Sequence, residues 1–336
     1  MTGGRIATIG TAAGAVGTLG LGAFVARRLL FPTPYTATAT VRSASATEAE
    51  FVATRDTRLP GTYRLTHDGR HVRVGEVLSA GTGTGTGTDT VRRRTDALAP
   101  VGEWAWDAML YDAEQDVPGE EPDAADTHVV HVHGQSLGPR QVLRGLAVWR
   151  TLGATSEVID TTDLALRSLD PAAVDRIVAA VRAARARGVS RVVLQGWSAG
   201  ALACSVAAGR EPVDGIVGVS PLLDVRSALR GAVGAARLPR IVGTVAARIA
   251  TTAVLSRLAG APTPIGVTRW LDRSTPTLLL HSDADVLVAS DDVAALARRQ
   301  DVRAVAFRTA AHTLEWNEDP ERWDAAVRDF AATITR

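Results

Sequence analysis

The stretch RVVLQGWSAGALA, Arg191–Ala203, sets a serine between two glycines directly after a short, strongly apolar run. The run reads as a strand, and the small residues from Ala199 to about Gly209 read as a helix. Gly196-Trp197-Ser198-Ala199-Gly200 fits GxSxG in the setting of strand, sharp turn and helix, where small flanking residues let the backbone pass close and leave the serine strained and exposed. Such a serine is aimed at a substrate. The helix N-terminus beneath it adds oriented N–H groups and a positive dipole end.

Outward from this motif, the chain after Asp126 alternates strand and helix. HVVHVHG, TSEVID, RVVLQ, GIVGVS, TLLLHS and VRAVAF read as strands, and helices are expected between them, for example Pro171–Arg187 with Asp170 as its cap. This order predicts an α/β fold with a mostly parallel, doubly wound sheet. A serine hydroxyl is a weak nucleophile at neutral pH, so a carboxylate and a histidine are expected later in the chain, in that order. LLLHSDADVLV supplies Asp285, 87 residues beyond Ser198, and RTAAHTLEWNEDPERW supplies His312, 27 residues further on. Asp283 competes for the acid position, and Asp224, after the preceding strand, is a third option.

Four segments in this order, HVHG (His131–Gly134), GWSAG (Gly196–Gly200), SPLLD (Ser220–Asp224) and HTLEWNEDPERW (His312–Trp323), resemble the α/β-hydrolase superfamily, in particular bacterial, N-terminally anchored members. The resemblance runs from about Asp126 to the C-terminus. It implies an α/β-hydrolase fold with a helical cap, Ser198 as nucleophile, His312 as general base and then acid, and Asp285 as the carboxylate that orients the imidazole. It also implies an oxyanion hole from the N–H of Ala199 and one from the loop after His133, at Gln135 or Gly134. The implied chemistry is hydrolysis of carboxylic esters through an acyl-enzyme, without metal or organic cofactor. Peptidase, thioesterase or acyltransferase chemistry on the same triad is the alternative, as is an inactive membrane-anchored binding protein. Ser282 stands where the superfamily usually has glycine in HGxxD.

The remaining sequence sets the domain plan: a targeting or anchoring segment over 1–32, a β-rich region over 33–125, and the hydrolase domain over 126–336. Ile6–Ala26 carries no charge and is long enough to cross a bilayer, so a membrane or signal segment with an extracytoplasmic catalytic domain is expected. Arg27 and Arg28 behind it work against that orientation. Between Pro34 and Ala99 the runs are short and β-prone, with a hairpin turn at His67-Asp68-Gly69. GTGTGTGT, from Gly81 to Thr88, reads as a flexible loop, since a phosphate cradle needs the lysine and helix it lacks. A cap is expected over about 225–273, where eight arginines face one aspartate, a pattern suited to a solvated face, to anionic lipid headgroups or to an acidic substrate.

Composition narrows the classes further. All 37 basic residues are arginine, 36 acidic residues leave a net charge of +1, and no field for nucleic acid is implied. Cys204 is the single cysteine, which excludes an internal disulfide and a cysteine zinc site. His128, His131 and His133 lack a partnering carboxylate pair and read as strand residues rather than metal ligands. The expected partner is a small or lipid-like acyl substrate. Trp197, beside the serine, is a candidate for stacking on it, whereas Trp316 and Trp323 read as packing around the base loop.

Overall fold

The computed structural model describes residues 3–33, 37–81, 89–266, 268–270 and 275–334, with side chains from residue 16 onward. Six strands, β7 (Thr127–Val132), β8 (Thr155–Ile159), β9 (Arg191–Trp197), β10 (Gly215–Val219), β11 (Thr277–Ser282) and β12 (Val302–Phe307), form one sheet. Their order is β12-β11-β10-β9-β7-β8 and every pairing is parallel. The inner strands β7, β9, β10 and β11 bury both faces, which is why these segments read as near-continuous apolar runs instead of alternation, whereas the edge strands β8 and β12 are only half-buried along most of their length. Val130, Val132, Val192 and Leu194 pack towards helices α3 (Pro171–Ala186) and α4 (Ala199–Ala208). Val129 and Val193 pack the other way, on α2 (Leu143–Thr151) and α9 (Pro320–Ile334).

This arrangement is the α/β-hydrolase fold. The chain builds β7 and β8 to one side, then crosses to β9 and continues to the other edge. The order therefore reverses between β7 and β9, and the crevice outside the carboxyl ends of strands at such a point is where open α/β sheets bind ligands. Ser198 follows β9, and the loop at Gly134 follows β7.

The N-terminal β-rich region is a closed antiparallel barrel of β1 (Ala37–Ala44), β2 (Glu48–Val52), β3 (Tyr63–His67), β4 (Arg70–Gly81), β5 (Thr90–Thr95) and β6 (Gly102–Asp107), in the order β1-β2-β5-β4-β3-β6. Closure leaves no strand edge unpaired. Phe51, Tyr63, Leu65 and Trp106 fill its interior. Asp68 and Gly69 make the expected two-residue turn between β3 and β4. The flexible loop expected over 81–88 begins at the end of β4, and residues 82–88 lie outside the described residues.

Helix α1 (Gly3–Leu30) precedes the barrel and lies against the cap. The cap comprises α5 (Val225–Ala235), α6 (Arg240–Thr251) and a 3-10 turn at Leu255–Ala259, and Ala26 and Leu30 of α1 are buried in the same cluster as Leu229, Ala246 and Ile249. No described helix is long and apolar enough to cross a membrane, so the transmembrane expectation for this segment finds no support.

Candidate active site

Ser198 takes φ 53° and ψ −117°, the strained turn that GxSxG anticipates. Its N–H donates to Val219 O at 2.9 Å and its carbonyl accepts from Leu222 N–H at 3.1 Å, so the neighbouring strand and the loop that follows it hold the strained residue in place. A Cβ on Gly196 would overlap Ala201 N, and one on Gly200 would overlap Val132 O. Only glycine allows that approach.

His312 stands on the loop between β12 and the short helix α8 (Glu315–Glu318). Its Nε2 lies 2.8 Å from Ser198 Oγ, and its Nδ1 lies 2.6 Å from Asp285 Oδ2. Asp285 Oδ1 accepts the Leu287 N–H at 2.9 Å. The two alternative carboxylates are elsewhere: Asp283 is exposed, and Asp224 caps α5 by accepting from Arg226 and Ser227 N–H. Burial alone would push the His312 pKa down, but the charge and hydrogen bond of Asp285, with Glu315 behind, hold it above the usual imidazole value. For Asp285 burial acts upward, and the imidazole of His312 with the Leu287 N–H outweighs it, leaving the carboxyl below its usual range.

The N–H groups expected to form an oxyanion hole divide. Ala199, first in α4, and Gln135, after β7, have N–H groups with no acceptor among the described residues, and both line the cavity at Ser198. Gly134 is corrected: its N–H donates to the buried Gln141 side chain at 2.7 Å and is not available to a substrate. The amide of Gln141, from the 3-10 turn Pro139–Val142, consumes that donor and orients the loop. Nothing in the glutamine's sequence position signals this role.

Other residues around the triad were also without an assigned role in the sequence. Ser220 accepts the Thr313 N–H at 2.8 Å and donates to Glu315, whose carboxyl is fully buried and pushed by that burial up to about 7. Both lie in segments that carry the resemblance, and a carboxylate three positions after His312 was the available signal. Arg144 of α2 is buried with Asn317 and donates to Asn317 Oδ1 and, at 3.1 Å, to Thr313 O. His128 and His131 of β7 and His133 just after it are spent on packing and hydrogen bonds: His128 to Thr155, His131 to Ser156, and His133 accepting from Thr161 N–H. Trp197 is buried beside His131, outside the lining of the cavity, so the stacking role is corrected.

The cavity in front of Ser198 has a volume of about 310 Å³ and mostly apolar walls. Leu169, Leu222 and Leu229 come from the hydrolase body and cap, whereas Phe24, Val25 and Leu29 come from α1. No carboxylate lines it, and Arg28 is its one guanidinium among the described residues.

The family described as "Domain of unknown function (DUF8805)" matches residues 40–103, most of the barrel. No curated protein matches the chain. Among solved structures, an esterase of Pyrococcus furiosus is similar at 15% identity and a TM-score of 0.46, over 84% of this chain and 94% of its own. A serine hydrolase without lid from Xanthomonas campestris is similar at 17% identity and 0.41, over 63% and 85%. MenH from S. aureus is similar at 15% identity and 0.42, over 65% and 98%. Strand order and the turn at Ser198, not these remote likenesses, define the fold.

Proposed function

We propose that this chain, built on an α/β-hydrolase fold, is a serine hydrolase of carboxylic esters with apolar acyl groups. The observation that supports it is the hydrogen-bonded line Ser198 Oγ, His312, Asp285 beside two unpaired N–H groups. In this reading Ser198 Oγ attacks the ester carbonyl while His312 Nε2 takes its proton, and Asp285 stabilises the imidazolium. The carbonyl oxygen becomes an oxyanion facing the Ala199 and Gln135 N–H groups. Collapse expels the alcohol, which takes the proton back from His312. Water then repeats the sequence on the acyl-enzyme, releasing the carboxylic acid and free Ser198. The acyl chain occupies the cavity walled by Leu169, Leu222, Leu229 and α1, where burial of each methylene contributes about 0.8 kcal/mol.

The test is covalent labelling of the full chain by a fluorophosphonate, together with turnover of p-nitrophenyl esters. Both are expected for the native protein and lost in Ser198→Ala. Near-native turnover by that variant would remove the serine from the mechanism.

A further inference from the structure

We propose that the N-terminal barrel is a positioning element of the active site, acting through Asn317 on the loop that carries His312; this rests on the serine-hydrolase reading above. Asn317 is fully buried five residues after the base, and each polar atom of its side chain has a partner. Its Oδ1 accepts from Arg144, and its Nδ2 donates to two barrel-side carbonyls, Thr62 O at 2.6 Å and Ala108 O at 2.9 Å. Its backbone carbonyl accepts the Thr62 N–H at 2.7 Å. Arg144 in turn grips Thr313 O, next to His312. Asn317 thus joins the barrel to the peptide adjoining the base.

The barrel end of this connection is itself fixed. Arg93, buried in the barrel, donates to Gly61 O at 2.6 Å, Leu59 O at 2.7 Å and Thr57 O at 3.1 Å, so the segment 57–62 is held from inside. Gly61 lies at φ 96°, and a Cβ there would overlap the Asn317 carbonyl. Backbone therefore meets backbone across the junction. Leu314, two residues after His312, packs on the apolar interiors of both domains. An amide is the side chain this place needs: aspartate has no N–H for the two carbonyls, and alanine removes the partner of both carbonyls and of Arg144 Nη1, leaving Arg144 only its bond to Thr313 O. Misplacement of a reacting group by about 1 Å costs on the order of 10²-fold in rate, so a connection that sets the loop sets the base.

The experiment compares the full-length chain with Asn317→Ala, Asn317→Asp and Gly61→Ala, counting competent sites by fluorophosphonate titration. Per labelled site, kcat on a short activated ester is expected to fall about 10- to 100-fold in Asn317→Ala and Gly61→Ala, with KM within about 3-fold. The double variant should lose no more than the larger single loss, since both cut one connection. The acid limb of the pH profile should move down towards the ordinary imidazole value as His312 loosens from Asp285. Unchanged kcat per labelled site in Gly61→Ala and Asn317→Asp, with only a lower melting temperature, would make the junction a mere tether and overturn the proposal. A native chain that takes no label would instead overturn the serine-hydrolase reading, whatever the variants do.

Discussion

The two sides of Ser198 are built differently. On the side of His312, the proposed base, buried polar groups hold one another through directional bonds: Asp285 and Ser198 on His312, Ser220 on Thr313 and Glu315, and Arg144 on Thr313 and Asn317. On the side of the proposed acyl pocket, the acyl side, Leu29 and Val25 of α1 and Leu229 of α5 meet the cavity with apolar side chains that form no hydrogen bonds. Proton transfer needs a group placed within hydrogen-bond reach, and only directional bonds fix a side chain that well. An apolar chain needs only volume and dry walls, which non-directional packing supplies. Changes on the base side should therefore act on rate, and changes on the acyl side on the choice of acyl chain.

The largest expected effect is on the base side. Asp285→Asn should lower kcat by on the order of 10⁴-fold, because the amide favours the wrong imidazole tautomer. Asp283→Asn and Asp224→Asn should stay within a few-fold, since neither carboxylate meets His312. Steady-state kinetics of the three variants decides it, and a reversed ranking would break the assignment of the acid.

Next comes the acyl side. Leu29→Trp fills part of the cavity from α1, and kcat/KM for an octanoyl ester is expected to fall about 10-fold or more while that for an acetyl ester stays nearly constant. Equal losses on both esters would mean that α1 does not sort acyl chains. The smallest effect sharpens the base side: in Glu315→Gln the hydrogen-bonding shape is kept and the charge removed. The Glu315 charge raises the His312 pKa, so without it the imidazole becomes neutral at lower pH. The acid limb of kcat/KM should move to lower pH, and an ionisation near 7 should vanish from the profile. A shift of that limb to higher pH would contradict the electrostatic role of Glu315.

The two sides also differed in how far they could be read from sequence. GxSxG specifies its own turn because Gly196, Ser198 and Gly200 meet within five consecutive residues, and the alternation of apolar runs specified the parallel sheet. His312 and Asp285 were reachable through motif order, since the ends of β11 and β12 lie side by side in this fold. Which of Asp224, Asp283 and Asp285 meets His312 is visible only in the folded chain, as three carboxylates of similar chemistry differ there in burial and direction. The same holds for Gly134, whose N–H is taken by a glutamine seven residues away. Asn317 and Gly61 lie 256 residues apart in the chain, and nothing local to either names the other. For α1, hydropathy reports only that its residues prefer an apolar surrounding, and lipid tails and a protein interior offer the same one. What the sequence determined by itself was the set of local, covalently enforced geometries. Where α1 lies, and which donors and acids are free to act, was decided by packing between distant segments.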